Sequence, residues 1–252
     1  MHNLQTVLID ADITAYQVCA TAEVEVDWGD DVWTLHSDFK DVKREFKTAI
    51  ESIMDTTEAS HAILAFTSPD NFRKTILPTY KENRAKVRRP MHLARLRDWA
   101  KDEFNVHIYP SLEGDDVLGI LSTKDPDTFV YSADKDMRTL PANLWAQDDG
   151  FVYQNDERIA DWYFMMQTLT GDPTDNYKGC PSIGPKRAQD LLGEPGLRSL
   201  EELWSIVVRA FESKGLTADD ALTQARCARI LRHTDWNPFT GEVALWQPPS
   251  PA

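Results

Sequence analysis

The pattern of apolar and polar positions divides this chain into two kinds of segment. Short apolar stretches at 6–9, 62–66, 106–109 and 128–132 read as strands, the run at 62–66 as one buried on both faces. Between them Phe39, Val42, Phe46, Ile50 and Ile53 recur at intervals of three and four, which predicts an amphipathic helix over 39–54. Further helices are predicted at 13–22, at 91–104 and from Gly114 onward, where Val117, Leu118, Ile120 and Leu121 supply the apolar positions. Alternation through Val24, Val26 and Trp28, resumed in Val32, Trp33 and Leu35, predicts a hairpin turning at Gly29-Asp30. Residues 143–145 add a short strand. After Asp161 the character is helical, with Trp162, Met165, Met166 and Leu169 on one stripe and helices near 199–214 and 217–233.

Alternation of strand and helix through residue 132 implies an α/β fold with a mainly parallel central sheet flanked by helices. A core over 1–160 and a helical region over 161–252 are the expected units. Three cysteines, Cys19, Cys180 and Cys227, are odd in number and far apart, which argues against a disulfide framework or structural zinc and for a reducing cytoplasm. The opening Met1-His2-Asn3-Leu4-Gln5 has no basic stretch leading into an apolar one, and no uncharged apolar run approaches the ~20 residues that span a bilayer, so neither secretion nor membrane insertion is expected. The six histidines form no constellation. The eight tryptophans are core candidates, with Trp28 or Trp33 as candidates to line a substrate channel.

Charge changes the picture. The net charge of −14 opposes binding to nucleic acid on average, but residues 73–97 hold nine cations against the single acid Glu82. That segment carries +8 and leaves about −22 elsewhere. Arg73, Lys86, Arg88 and Arg89 lie within it beside Lys81 and Arg84, and Tyr80 offers an aromatic ring on which an unpaired base could stack.

The acids are clustered too. Asp10/Asp12, Glu113/Asp115/Asp116 and Asp134/Asp136 each come just after a predicted strand, and Asp172/Asp175 follow in the helical part. Residues past the carboxyl ends of parallel strands converge on one crevice. So many carboxylates would repel unless divalent cations neutralised them, and hard oxygen donors favour Mg²⁺ or Mn²⁺ over zinc. Two such ions about 4 Å apart are the usual device for phosphodiester hydrolysis. Downstream, Gly179-Cys180-Pro181-Ser182-Ile183-Gly184-Pro185-Lys186-Arg187 places a glycine-flanked turn ahead of a helix, an arrangement that can grip a DNA phosphate through backbone N–H groups.

Five motifs in order, Val7-Leu8-Ile9-Asp10-Ala11-Asp12, Phe72-Arg73 with Tyr80-Lys81-Glu82-Asn83-Arg84, Leu112-Glu113-Gly114-Asp115-Asp116, Ser132-Ala133-Asp134-Lys135-Asp136 and Gly171-Asp172-Pro173-Thr174-Asp175-Asn176, resemble the 5′-nuclease, or flap-endonuclease, family. The likeness is closest to the compact 5′-to-3′ exonucleases of tailed bacteriophages. It implies a PIN-like α/β core, a helical arch over about 71–100 and a helix-hairpin-helix element that binds duplex. By the same resemblance Asp10, Glu113, Asp115 and Asp134 attend one metal ion or its water shell, and Asp116, Asp136, Asp172 and Asp175 a second. Lys81 and Arg84 would contact the scissile phosphate. Gly179, Ile183, Gly184, Lys186 and Arg187 would hold the duplex, with a K⁺ ion at the 179–184 turn. The implied substrate is DNA with 5′ ends, flaps or gaps, or an RNA:DNA hybrid, cut by a monomer in the cytoplasm of an infected bacterium. One departure stands out: where the family commonly has an aspartate after the strand that ends here at Phe66, this chain has Thr67-Ser68-Pro69, with Asp70, two residues after Ser68, as a candidate substitute.

A haloacid-dehalogenase-type phosphatase is the competing enzyme class, since Asp10-Ala11-Asp12-Ile13-Thr14 and 171–176 fit its motifs, but it requires a buried strand before Gly171 where 165–169 reads as helix. A PIN-type ribonuclease and a DNA-binding relic that has lost its metal chemistry compete as well.

Overall fold

A computed structural model describes residues 5–249; the opening Met1–Leu4 and the last residues of the proline-rich tail lie outside the described residues. The elements in chain order are β1 (Thr6–Asp10), α1 (Ala11–Thr21), β2 (Val24–Asp27), β3 (Trp33–His36), α2 (Phe39–Thr57), β4 (His61–Ala65), α3 (Arg73–Ile76), α4 (Leu93–Glu103), β5 (Val106–His107), α5 (Gly114–Lys124), β6 (Thr128–Tyr131), β7 (Asn143–Ala146), β8 (Phe151–Gln154), α6 (Glu157–Thr170), α7 (Pro185–Leu192), α8 (Leu200–Glu212) and α9 (Ala218–Ala228). Single 3-10 turns occupy Glu82–Lys86, Lys135–Thr139 and His233–Asp235.

Six strands form one sheet in the order β5-β4-β1-β6-β7-β8. The first five are parallel and β8 runs antiparallel to β7. The sheet is thus mainly parallel, as expected, and β8 is an edge strand that the apolar pattern did not announce. β1 is central: Val7, Leu8 and Ile9 are fully buried because helices cover both faces, which is why its sequence is a continuous apolar run. Val7 and Ile9 pack with Val42, Phe46 and Ile50 of α2 and with Leu96 of α4 on one face. Leu8 packs with Val117 and Leu118 of α5 on the other. The chain moves outward from β1 to β4 and β5, then returns to place β6 on the opposite side of β1. The order reverses between β1 and β6, and a crevice opens there at the carboxyl ends of the strands.

Local chemistry sets the helix boundaries. Asp10 itself caps α1 by accepting from the Ile13 amide at 3.2 Å, so the helix starts two residues before the predicted 13. Ser199 with Glu202 and Thr217 with Asp220 form capping boxes on α8 and α9. Helix in the basic segment is confined to α3, one 3-10 turn and α4, and Pro78 and Pro90 fall in the gaps.

The helices after β8 have their own core, in which Phe164, Met165 and Leu169 of α6 meet Leu203, Val207 and Phe211 of α8. The chain then leaves this layer, and Ile230 and Leu231 pack against α5. Contact is close enough that a Cβ on Gly119 would lie 2.3 Å from the Leu231 carbonyl oxygen, so only glycine fits there. Trp236 stacks on Tyr109 with ring centres 4.4 Å apart.

Candidate active site

Eight carboxylates line one cleft of about 350 Å³ at the strand ends: Asp10, Asp12, Glu113, Asp115, Asp134, Asp136, Asp172 and Asp175. Lys81, Arg84 and Lys135 are the cations in its wall. Each acid is delivered by a strand end, a turn or the first turn of a helix, as Asp12 is by α1 and Asp115 by α5. Asp10 closes β1, Glu113 caps α5, Asp134 caps the 3-10 turn after β6, and Asp172 and Asp175 sit in the turn after α6.

One wall is paired. Lys81 contacts Glu113 and lies 3.4 Å from Asp175, and Arg84 reaches the other oxygen of Asp175. The Tyr80 hydroxyl is 2.9 Å from both Glu113 Oε2 and Asp175 Oδ2, so its single proton serves two carboxylates. Asn83 and Arg84 also donate to the carbonyls of Pro173 and Thr174, which clasps the basic segment to the 172–175 turn. Burial would raise Glu113, but Lys81 and Arg73 outweigh it and hold the acid below the usual range. Asp175 stays raised, because burial exceeds what Lys81 and Arg84 return.

The other wall is unpaired. Asp10 accepts from Ser132 Oγ at 2.9 Å, and Ser132 Oγ also receives the Asp134 amide at 3.0 Å, which ties β1 to β6 across the switch point. Asp134 accepts from the Asp136 amide, and Asp136 from Gln167 at 2.6 Å. These are neutral donors. Burial first, then Asp12 and Asp134, pushes Asp10 up to about 6; burial with Asp134 and Asp172 does the same to Asp136. Asp115 is raised well above the usual carboxylate value by burial and by Asp10, Asp134 and Glu113.

Asp116 and Arg73, expected at the site, lie elsewhere, and Tyr80 reaches it only through its hydroxyl. Asp116 is 0 % exposed and Arg73 2 %, and they form a two-pronged ion pair with both N–O distances at 2.7 Å. Arg73 also donates to the carbonyls of Cys227 and Arg229, and Asp116 accepts from the Leu231 amide. The pair therefore joins α3, α5 and the end of α9, and neither partner faces the cleft, whether as metal ligand or as DNA contact. Tyr80 is 2 % exposed, so it has no free face for a base; its ring lies 6.3 Å from that of Tyr177. Sequence spacing could not separate Asp115 from Asp116. Only the turn of α5 decides which of the two points outward.

The remaining basic residues divide. Lys86 and Arg89 are exposed, whereas Arg88 is engaged by Glu23 with contacts of 2.6 and 2.8 Å. At the glycine turn Gly184, Lys186 and Arg187 are exposed around the N-terminus of α7. Gly179 is not available: its amide donates to Gln224, and its φ of +63° lets it pack directly on Gly171. Ile183 is buried in the helical core and its amide bonds to Cys180.

After β4, Thr67 stands in the cleft wall with its amide on Asp12 Oδ2 at 2.7 Å and its hydroxyl receiving the Gly114 amide. Arg97 donates to the Thr67 carbonyl and lies 3.9 Å from Asp12. Ser68 turns inward to accept the Ser111 amide, and Asp70 is exposed outside the cleft wall, so Asp70 does not substitute for the expected aspartate. Thr67, Arg97 and Lys135 are cleft or near-cleft residues that sequence reasoning did not single out. Trp28 and Trp33 sit exposed on the β2–β3 hairpin and do not line the cleft.

Among the described residues, no set of three or more His, Cys, Asp or Glu side chains is placed to hold a metal ion as it stands. The donor set nonetheless suits hard divalent cations: it is all oxygen, and Asp10, Asp115 and Asp136 are raised first by burial and then by the neighbouring carboxylates.

A parallel α/β sheet with an acid-lined cleft at its switch point, closed by a helical layer that brings two more aspartates, defines the class: a PIN-like hydrolytic core. The chain belongs to the family described as 5′-3′ exonuclease, N-terminal resolvase-like domain, which matches residues 5–162. It is 29 % identical to the exonuclease of Escherichia phage T7 and 28 % identical to the exodeoxyribonuclease of Enterobacteria phage T3, in each case over 96 % of this chain and 93 % of the relative. The flap endonuclease Xni of Shewanella oneidensis is 24 % identical over 67 % of this chain and 70 % of its own. Among solved structures, the D15 protein of phage T5 co-crystallised with metal ions superposes with a TM-score of 0.55 at 17 % identity, over 89 % of this chain and 93 % of that one. A D15 flap endonuclease complex with DNA and metal ions gives 0.52 at 16 % over the same shares. The competing phosphatase class fails on the fold, since 165–169 lies inside α6 and helix, not strand, leads directly into Gly171.

Proposed function

We infer that this chain is a 5′-to-3′ exonuclease and 5′ flap nuclease that hydrolyses DNA phosphodiesters with divalent metal ions, and that the metal it uses is Mg²⁺, with Mn²⁺ able to replace it. What carries this assignment is one cleft in which Asp10, Asp115, Asp134, Asp136 and Asp172 are short of positive charge while Lys81 and Arg84 stand on the opposite wall. Asp10, Asp115 and Asp134 would hold one ion, and Asp136 and Asp172 a second, while Glu113 and Asp175 pair with Lys81 and Arg84. When bound, such ions supply charge neutralisation and Lewis acidity to water and to phosphoryl oxygens.

The protein's own part is positioning and charge. Arg84 is about half exposed, so its guanidinium can leave Asp175 for a phosphate oxygen. Lys81 is more enclosed and adds positive charge beside the same phosphate. Cleavage would leave a 5′-phosphate and a 3′-hydroxyl. Lys86, Arg89, Lys186 and Arg187 would hold the phosphate backbone on either side, a contact that carries no sequence information. A K⁺ ion at the 179–184 turn, activity on RNA:DNA hybrids, action as a monomer and residence in the cytoplasm belong to the same proposal. Among the described residues no helix is long and apolar enough to cross a membrane.

The test is incubation with 5′-labelled duplex and, separately, a 5′-flap substrate, in Mg²⁺ or in EDTA, with products resolved by size. Mg²⁺-dependent release of short labelled fragments is expected, and their lengths separate exonucleolytic from flap cleavage. Intact DNA under every metal tried would refute the assignment.

A further inference from the structure

A second cavity, of about 590 Å³ against the 350 Å³ of the carboxylate cleft, opens on the far side of Asp134 and Lys135, which line both. Its position follows from the sheet. β6 and β7 are parallel with Val130 opposite Leu144, so both end at the catalytic edge and the turn into β8 emerges beside Asp134. Antiparallel pairing sets Tyr153 opposite Leu144 and Phe151 opposite Ala146, which puts both aromatic rings on the face that carries Leu144. Phe151 is 52 % exposed. Tyr163 of α6 adds a third ring, with the Arg138 guanidinium 5.6 Å from its centre. Lys135 and Arg138 are both exposed at this cavity, and neither has a carboxylate salt-bridge partner among those found in the described residues.

We propose that this cavity is a nucleotide subsite, with an unpaired base against Phe151 and Tyr153 and its 5′ phosphate held between Lys135 and Arg138. Aromatic rings accept any base by stacking, and exposed cations beside them are what the attached phosphate requires. The volume lies within the ~300–1,000 Å³ of small-ligand pockets. Asp148 and Asp149 on the β7–β8 turn repel phosphate from that rim and so fix the polarity, phosphate toward Lys135 and Arg138. Lys135, Arg138 and Tyr163 also line a cavity of about 280 Å³, with Asp136 and Asp172 in its wall, that runs to Pro185, so the aromatic pocket is continuous with the N-terminus of α7 past both cations. The occupant is a 5′-phosphorylated nucleotide, either still part of the substrate strand or released as product. This rests on the nuclease assignment above.

The test is photo-crosslinking of the full chain in EDTA, with mass-spectrometric mapping. One probe is single-stranded DNA with 5-iododeoxyuridine at successive positions from its 5′ end; the other is 8-azidodeoxyadenosine 5′-monophosphate. Crosslinks at Phe151, Tyr153 or Tyr163 from one position of the DNA identify the substrate strand as occupant, and crosslinks there from the mononucleotide alone identify the product. Absence of both at these residues overturns the proposal. Phe151→Ser and Arg138→Gln change exposed side chains outside the carboxylate cleft, so kcat should hold while KM for short substrates, or the inhibition constant of deoxyadenosine 5′-monophosphate, rises about five- to tenfold. No change in either quantity also overturns it. A chain that crosslinks the mononucleotide but cuts no DNA keeps the subsite and loses the nuclease assignment; one that cuts DNA without these crosslinks does the reverse.

Discussion

Glu113 and Asp115 are two residues apart on the same helix end, line the same cleft, and have opposite electrostatics. Glu113 touches Lys81 and lies 3.2 Å from Arg73, and is held below the usual carboxylate range. Asp115 faces Asp10 and Asp134 and is driven well above it. The difference separates two tasks that carboxylates perform in one site. On the Glu113 side the acids fix Lys81, Arg84 and Tyr80 in place, and on the Asp115 side they hold the mutual repulsion that a divalent cation would relieve under the proposed function. A buried carboxylate is not by itself a sign of either task; its neighbours decide.

The largest effect should come from the unpaired wall. Asp134→Ala is expected to reduce kcat by about a thousandfold or more while DNA affinity in EDTA changes little, measured by single-turnover cleavage and fluorescence anisotropy. Loss of binding in step with cleavage would instead place Asp134 among the DNA contacts. On the paired wall, Lys81→Ala should cost about a hundredfold in kcat, since in the proposed mechanism it removes a cation from beside the reacting phosphate.

Stability should move in opposite directions across the cleft. Glu113→Gln leaves Lys81 and Arg73 short of a partner and should destabilise the metal-free protein by about 2 kcal/mol. Asp115→Asn removes a repelling charge and should stabilise it by about 1 kcal/mol, roughly 2–4 °C in Tm. Shifts of the same sign in EDTA would erase the distinction.

The smallest expected effect is in the pH dependence. Asp10 and Asp136 hold their protons to about 6 in the folded chain against 3.8 for the ordinary group, so between these values the folded state binds more protons than the unfolded one. Their contribution to stability is therefore greatest below pH 3.8 and is lost as pH rises to about 6. In EDTA the Tm should decline across that window, and added Mg²⁺ should raise it more at about pH 7.5 than at about pH 5. A Tm increase from Mg²⁺ that is independent of pH would contradict the raised values.

The main strands and the mainly parallel sheet were legible because a parallel sheet covered on both faces leaves apolar runs, as in Val7-Leu8-Ile9. The antiparallel β8 was not, since an exposed edge strand of four residues need not be apolar throughout. Three of the four acidic clusters were legible from their place after strands, and the structure gathers eight of the nine clustered carboxylates in one cleft. What remained hidden was rotation and partnership. Asp116 differs from Asp115 by one step of a helix, and Arg73 differs from the exposed Lys74 by the same step, yet both steps lead into the core. Tyr80 reads as a base platform from its basic neighbours and is instead the proton donor between two acids. The cavity beside Phe151 had no sequence signal, because its rings come from β8 and α6 and only pairing register brings them together.

The most direct test of the division between the two walls is calorimetric titration of Mg²⁺ into wild type, Asp115→Asn and Glu113→Gln at about pH 7.5. Wild type should bind the ion, Asp115→Asn should lose at least about tenfold in affinity, roughly 1.4 kcal/mol, and Glu113→Gln should lose less. A greater loss in Glu113→Gln than in Asp115→Asn, or a wild-type protein that binds no Mg²⁺, would contradict the account.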